Sequence, residues 1–221
     1  YFDSLGLFDV PVTAAHCGWV DDADLDILAA HGVFVANNPA SNMKLGSGFA
    51  PIPEMLRRNI PVCLGSDGMA SNNSHNLFRD MYLQALIYKG ATLDPAAVTP
   101  QQALVSATRV GALSQGRDDC GVIAEGMRAD LCVLDTTGPS WCPATDVVYN
   151  IVYAGDGADV VLTMCDGEVI YRDGAWPTID VECAKENCVD EKTIQAVEAV
   201  LQRGHARLPH CGAQRLIGLS F

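Results

Sequence analysis

The chain has 221 residues, 49% hydrophobic and 19% charged, so it can bury a core and is typical of a globular protein rather than a disordered one. Its net charge of −13, with only 14 scattered Lys and Arg residues, argues against nucleic acid as a partner, because phosphate contacts need clustered basic side chains. No apolar run approaches the roughly 18 residues of a membrane span, and nine cysteines without close pairing favour a reducing, cytoplasmic location over a disulfide framework.

The first predicted element is a short strand over residues 10–15, and it ends on His16. A single histidine after a strand is more often structural than functional. Next comes a predicted helix whose first turn contains the acidic residues Asp21, Asp22 and Asp24, which suit the positive end of a helix dipole. These acids could instead bind a metal, but a hard cation needs more oxygen ligands at set spacing, so we favour the helix start.

The second predicted strand, Val33 to Ala36, follows Gly32. The segment from Asn37 to Gly48 is polar and rich in glycine, so we expect a long loop over the mouth of a site. Lys44 in this loop could contact an anionic substrate group, but a solvated lysine is the favoured interpretation.

The third predicted strand, Val62 to Leu64, follows a short helix from Glu54 to Arg58 and is apolar throughout, as in a parallel sheet buried on both faces. It delivers Asp67 into a turn of small residues. Residues just past the carboxyl ends of parallel strands line the active sites of α/β barrels, so Asp67 and His16 form a candidate pair. The alternative is that Asp67 caps the helix that follows.

Two longer helices come next. The first runs from about Asn76 to Lys89 with an apolar stripe, and we place Met81 and Tyr82 in the core. The second runs from Thr99 to Thr108, with a threonine cap before a proline.

After residue 116 the pattern becomes that of a small β unit. Short β-type runs are separated by turn signals and are predicted as strands at residues 130–134, 147–153, 160–164 and 168–171. Residues 181–204 predict a charged amphipathic helix. We do not favour a metal site at His205, His210 and Cys211, because no fourth ligand stands at usable spacing.

Five segments together resemble the metal-dependent amidohydrolases, and within them the deaminases of S-adenosylhomocysteine and methylthioadenosine. They are Ala14 to Cys17, Asn38 to Gly48, Ala50-Pro51, Leu64 to Asn73 and Gly121 to Leu131. The resemblance implies an α/β fold: the C-terminal strands and helices of a (β/α)8 TIM-type barrel over residues 1–115 and part of a small appended β-sandwich over residues 116–180. Residues 181–221 would form a C-terminal helix and tail.

The resemblance also implies a chemistry, the hydrolysis of a C–N bond in a small purine nucleoside. It implies one divalent metal ion, zinc in preference to iron, with Asp67 as metal ligand and as the group that accepts the water proton. His16 would act in catalysis and substrate binding by hydrogen-bonding the attacking oxygen, and Ser71 would be a substrate-side hydroxyl. Asn37-Asn38 stands where relatives often have His-Asn, which leaves the fine substrate preference open.

The family's remaining metal ligands, which lie upstream in its members, are absent from this sequence. A catalytic zinc ordinarily has three protein ligands, so Asp67 alone cannot hold one. The chain also opens on apolar residues without a methionine. We therefore expect the C-terminal half of a longer protein, inactive without its N-terminal half.

Two alternatives stay open. The first is a guanine- or triazine-type aminohydrolase of the same superfamily. The second is a non-catalytic half-barrel that serves as a binding module, which we disfavour because an isolated piece of barrel exposes a sheet edge. A homo-oligomeric assembly is also left open.

Overall fold

The computed structural model describes residues 1–187, and the chain divides into two compact units, Tyr1–Ala175 and Trp176–Phe221. The described strands are β1 (Thr13–Ala15), β2 (Phe34–Asn37), β3 (Val62–Leu64), β4 (Leu131–Leu134), β5 (Val160–Cys165) and β6 (Glu168–Arg172). The described helices are α1 (Asp22–Ala30), α2 (Pro39–Lys44), α3 (Ile52–Arg57), α4 (Met69–Asn72), α5 (Leu77–Thr92), α6 (Pro100–Ala107), α7 (Arg109–Leu113), α8 (Val147–Tyr153) and α9 (Val181–Asn187).

Strands β1, β2 and β3 form a parallel sheet in that order, as the apolar runs predict. Ala15 pairs with Ala36, and Asn37 pairs with Leu64. All three residues of β3 are buried, as expected for a strand covered on both faces. Because the strands are parallel, the residues that follow them meet at one edge of the sheet, and this edge carries the candidate site.

Helix α1 begins with a reciprocal capping box. The Asp21 side chain accepts a hydrogen bond from the Asp24 backbone N–H at 2.9 Å, and the Asp24 side chain accepts one from the Asp21 N–H at 3.2 Å. Leu25 and Leu28 then enter the core beside the sheet. The acidic cluster is therefore a helix start, as favoured over a metal site.

The expectation of a long loop from Asn37 to Gly48 was wrong in part, because residues Pro39–Lys44 form helix α2. Proline is well suited to the first turn of a helix, where its missing N–H costs nothing, and Pro39 occupies that position. Ser41 and Asn42 are buried although they are polar. The polar composition, which suggested a loop, instead reflects a helix whose polar side chains have partners inside the molecule.

The predicted strand over residues 147–153 was also wrong, because these residues form helix α8. The Asp146 side chain accepts a hydrogen bond from the Tyr149 N–H at 3.0 Å and so caps the helix. Val148, Ile151 and Val152 share a core cluster with residues of α5 and α6, and their spacing is that of one helical face. Tertiary packing therefore overrides the β propensity of valine and isoleucine.

Of the two residues placed in the core of α5, Met81 is buried, but Tyr82 is 40% exposed. Within residues 1–187, no helix is both long and apolar enough to cross a membrane.

Strands β4, β5 and β6 form an antiparallel sheet. Asp130, just before β4, links this strand to the β5–β6 hairpin, because its carboxylate accepts the Asp166 N–H at 2.7 Å. The same carboxylate pairs with Arg117 at 2.5 Å. The Asp166 N–H, then Cys120 and Arg117, hold the pKa of Asp130 at about 2. In the second unit, α9 forms within the predicted helix of residues 181–204, and the candidate ligands His205, His210 and Cys211 lie outside the described residues.

Candidate active site

The two candidate catalytic residues lie side by side at the carboxyl edge of the parallel sheet. His16 follows β1 directly, and Asp67 lies three residues beyond β3. His16 Nε2 is 3.9 Å from Asp67 Oδ2. Both side chains are partly exposed, at 45% and 32%.

The backbone at both residues is left-handed, with φ of 66° at His16 and 61° at Asp67. Such values are uncommon outside glycine and persist where the surrounding structure enforces them. At His16 the restraint includes a 2.9 Å bond from its N–H to the Ala36 carbonyl oxygen of β2. The strand end thus turns the imidazole toward Asp67.

The Asp67 carboxylate is held by groups from two elements. Oδ2 accepts a hydrogen bond from the Ser41 hydroxyl at 2.6 Å, and Oδ1 accepts one from the Gly68 N–H at 2.7 Å. The Ser41 bond first, and then those of Gly68 and Ser71, hold the pKa of Asp67 below its ordinary value. The N-cap residue of helix α4 is Gly68, and the Asp67 side chain accepts from the Gly68 N–H rather than from an N–H of the first helical turn, so Asp67 is not the N-cap.

Ser71, the predicted substrate-side hydroxyl, is half-buried on α4 beside this carboxylate. Its Oγ lies 3.1 Å from the Gly68 carbonyl oxygen and also within hydrogen-bonding reach of Asp67. The structure therefore brings all three predicted site residues together.

The sequence analysis missed the role of helix α2, which contacts both candidate residues. Ser41 donates to Asp67, and Asn42 Oδ1 lies 2.8 Å from His16 Nδ1. Lys44 is not a purely solvated loop lysine, because its Nζ donates to the Ala70 carbonyl oxygen at 2.9 Å and contacts the Asn73 side chain. The proline at the start of α2 was the signal in the sequence that could have indicated a helix.

A buried carboxylate on α5 binds to α2 and α4, the two helices beside the candidate site. Asp80, 1% exposed, accepts the Ala40 N–H at 3.2 Å and the Asn72 side-chain amide at 2.9 Å. The same Asn72 amide donates to the Ser66 carbonyl oxygen at 2.7 Å, next to Asp67. Burial raises the pKa of Asp80 above its ordinary value. Asp80 thereby links the start of α2 to the turn that carries Asp67.

The sequence model of the Amidohydrolase family matches residues 1–170.

The chain belongs to the amidohydrolase family.

Among curated amidohydrolase relatives, it is 44% identical over 183 residues to the 5-methylthioadenosine/S-adenosylhomocysteine deaminase of Acetivibrio thermocellus, covering 82% of this chain and 42% of the relative. It is 40% identical over 201 residues to the 5'-deoxyadenosine deaminase of Methanosarcina mazei, covering 91% of this chain and 45% of the relative. The chain thus spans less than half the length of these two relatives.

Solved amidohydrolase structures have a similar fold. An adenosine deaminase from Xanthomonas campestris with bound zinc matches with a TM-score of 0.80 and 30% identity, over 84% of this chain and 42% of that one. The atrazine chlorohydrolase TrzN of Arthrobacter aurescens, complexed with zinc, matches with a TM-score of 0.75 and 30% identity, over 80% and 39%. The expected TIM-barrel type of fold is therefore confirmed for the matched part of the chain.

The residues at this amidohydrolase site fit one part of a metal site. Asp67 accepts hydrogen bonds from Ser41 and Gly68, and an ionised carboxylate has about four lone-pair sites, so acceptor capacity remains for a cation. Residues 1–187 contain no group of three or more His, Cys, Asp or Glu side chains that could hold a metal. Asp67 is thus suited to be one ligand among several.

Asn37, at the position where a histidine was expected in relatives, faces the interior. Its side-chain amide donates to Gln84 at 3.0 Å, and its oxygen accepts the Tyr88 hydroxyl at 3.1 Å. Asn37 and Gln84 are fully buried. In this member of the family, the position serves the packing of α5 against the sheet.

Proposed function

We propose that this chain is the C-terminal part of a metal-dependent aminohydrolase that hydrolyses a C–N bond in a purine nucleoside such as S-adenosylhomocysteine or methylthioadenosine. The observation that carries the proposal is the pairing of His16 with Asp67, 3.9 Å apart, at the carboxyl edge of a parallel sheet. Relatives named as deaminases of such nucleosides, at 40 to 44% identity, support the substrate class.

Asp67 is proposed as a metal ligand and as the proton carrier. A divalent metal at this position, zinc in our proposal, would lower the pKa of bound water towards ~7. The depressed pKa of Asp67 keeps the carboxylate ionised and able to accept the proton of the attacking water. Asp67 then donates that proton to the departing amino group, and the products are ammonia and a ring carbonyl.

His16 and Ser71 are proposed to act on the attacking oxygen and the substrate. Asn42 occupies the Nδ1 side of the imidazole, and Nε2 faces Asp67. Nε2 is therefore the ring nitrogen that would contact the attacking oxygen. The Ser71 hydroxyl, next to the carboxylate, is placed to hydrogen-bond a substrate ring nitrogen or hydroxyl. Helix α2 holds both catalytic groups in this arrangement.

The remaining parts of the barrel are proposed to precede this chain in a longer protein. We assign residues 1–115 to the barrel, 116–180 to part of an appended β-sandwich, and 181–221 to a C-terminal helix and tail. The share of each relative that the chain spans, 42 to 45%, supports this proposal. So does β1, which pairs with β2 alone among the described strands and leaves an edge for a preceding strand.

A triazine hydrolase is the second candidate, because the atrazine chlorohydrolase structure resembles the chain almost as closely as the adenosine deaminase does. A panel of substrates separates the two. We would incubate the complete, zinc-loaded protein with methylthioadenosine, S-adenosylhomocysteine, 5'-deoxyadenosine, guanine and atrazine, and measure ammonia or chloride release. We expect kcat/KM for a nucleoside to exceed that for guanine and atrazine by about 100-fold or more. Turnover of atrazine or guanine alone would overturn the nucleoside assignment, and no turnover of any substrate would favour the binding module.

A further inference from the structure

The side-chain oxygen of Asn42 lies at hydrogen-bond distance from one ring nitrogen of His16. Asn42 Oδ1 lies 2.8 Å from His16 Nδ1, a full hydrogen-bond distance. An amide oxygen can only accept, so the partner nitrogen must be the donor. The bond therefore requires Nδ1–H, and in a neutral imidazole Nε2 is then an acceptor.

Backbone hydrogen bonds hold both partners in place. Asn42 is 2% exposed, its backbone N–H donates to the Asn38 carbonyl oxygen at 2.9 Å, and its own carbonyl oxygen accepts from Ser47 at 2.9 Å. The His16 backbone is fixed to β2 by the 2.9 Å bond to Ala36. A rigid acceptor opposite a rigid ring selects a single tautomer, as hydrogen-bonding partners do for metal-bound histidines.

The second ring nitrogen, Nε2, points to the Asp67 carboxylate. Nε2 lies 3.9 Å from Asp67 Oδ2, too far for a direct hydrogen bond but close enough for one water molecule to donate to both atoms. With Nδ1 protonated, these two atoms are both acceptors. They therefore select a small molecule that offers two protons, and water is the one that the proposed reaction consumes.

We propose that Asn42 is a positioning residue that fixes His16 in its Nδ1–H tautomer, so that neutral His16 orients the attacking water as a hydrogen-bond acceptor. The role in water orientation rests on the proposed function, whereas the tautomer is a property of the protein alone. The two parts are therefore tested by different measurements.

The tautomer is measured by nitrogen NMR. We would label the complete protein with 15N-histidine, assign the His16 signals from their loss in a His16→Gln variant, and record spectra in alkaline buffer, where imidazoles are neutral. The wild-type protein should give a protonated Nδ1 and an unprotonated Nε2. A protonated Nε2 in the wild-type protein would overturn the proposal, and this outcome needs no variant to fold.

Three variants separate positioning from packing. Asn42→Leu removes the acceptor but keeps the branching of the side chain, and it should shift His16 to the tautomer mixture of a free imidazole. Asn42→Asp keeps an acceptor and should keep Nδ1–H. Ser41→Ala, on the same helix, should leave the His16 tautomer unchanged, and the His31 signals serve as an internal reference, since His31 pairs with Asp3 instead. An unchanged tautomer in a folded Asn42→Leu protein would contradict the proposal.

Kinetics test the water-orienting part. Asn42→Leu should lower kcat about 10- to 100-fold with little change in KM, and Asn42→Asp should recover part of that loss. If the wild-type protein shows the Nδ1–H tautomer but deaminates no nucleoside, the proposed function fails and the positioning role stands. If the tautomer responds to Asn42→Leu while kcat does not, the water-orienting role is refuted.

Discussion

Replacement of Asp80 should destabilise the protein by weakening the attachment of α2 and α4, the two helices beside the candidate site. It is 1% exposed, and its two oxygens accept bonds from Ala40 on α2 and from Asn72 on α4. In Asp80→Asn one of these oxygens becomes an NH2 group, so one of the two donors faces another donor. The substitution keeps the volume of the side chain and changes only its hydrogen bonding.

The size of the effect follows from these two bonds. Losing one hydrogen bond costs about 1 kcal/mol, and leaving a buried donor without an acceptor costs about 1–3 kcal/mol more. We therefore expect Asp80→Asn to lower the free energy of unfolding by about 3 kcal/mol. With a urea m-value of about 2–3 kcal/mol/M, the midpoint should fall by roughly 1 M.

The assay is urea unfolding of the complete protein. Asp94→Asn is the matched control, because Asp94 is exposed and its side chain accepts the Ala96 N–H at 2.8 Å, a bond that an asparagine oxygen can keep. That control should change the unfolding free energy by less than about 0.5 kcal/mol. If Asp80→Asn is no more destabilising than Asp94→Asn, the linkage of α2 and α4 through Asp80 is refuted.

Three further predictions test single contacts. Ser41→Ala removes the hydroxyl that donates to the Asp67 carboxylate at 2.6 Å, so it should lower kcat about 10- to 100-fold and the free energy of unfolding by about 1 kcal/mol. Arg57, then its neighbouring arginine, holds the pKa of Glu54 at about 2, so the stability that this pairing provides is present above pH 4.5 and lost as the pH falls towards 2. Melting temperatures of Arg57→Gln should accordingly fall less steeply across that window than those of the wild type. Val152→Ala on the buried face of α8 should cost about 2 kcal/mol in urea unfolding, and Val147→Ala, 70% exposed, almost nothing; equal costs would contradict the helical packing.

The parallel sheet was predictable from the sequence because its strands are short apolar runs. Val62 to Leu64 is bounded by a proline and a glycine and is buried on every residue, so local pattern and tertiary environment agree. The positions of His16 and Asp67 just past two such strands then followed from the geometry of parallel sheets. The 3.9 Å distance between the two side chains depends on the register of β1, β2 and β3, which could not be predicted from the sequence.

Helices α2 and α8 were not predictable in the same way. α8 is rich in valine, isoleucine and tyrosine, so its composition favours a strand, whereas the Asp146 cap and the packing against α5 and α6 favour a helix. In α2 the buried residues are polar, and burial of Ser41 and Asn42 is tolerable only because each meets a partner far away in sequence. No local pattern reveals such partners.

The variant Asp67→Asn in the complete protein tests most directly whether Asp67 is the metal ligand and proton carrier that we propose. Its matched control is Asp173→Asn, since Asp173 is an exposed aspartate with the same left-handed backbone, at φ of 47°. With methylthioadenosine as substrate, Asp67→Asn should lose turnover by at least about 1000-fold while its melting temperature stays near that of the wild type, and Asp173→Asn should keep full activity. Near-normal ammonia release from a folded Asp67→Asn protein would contradict the assignment.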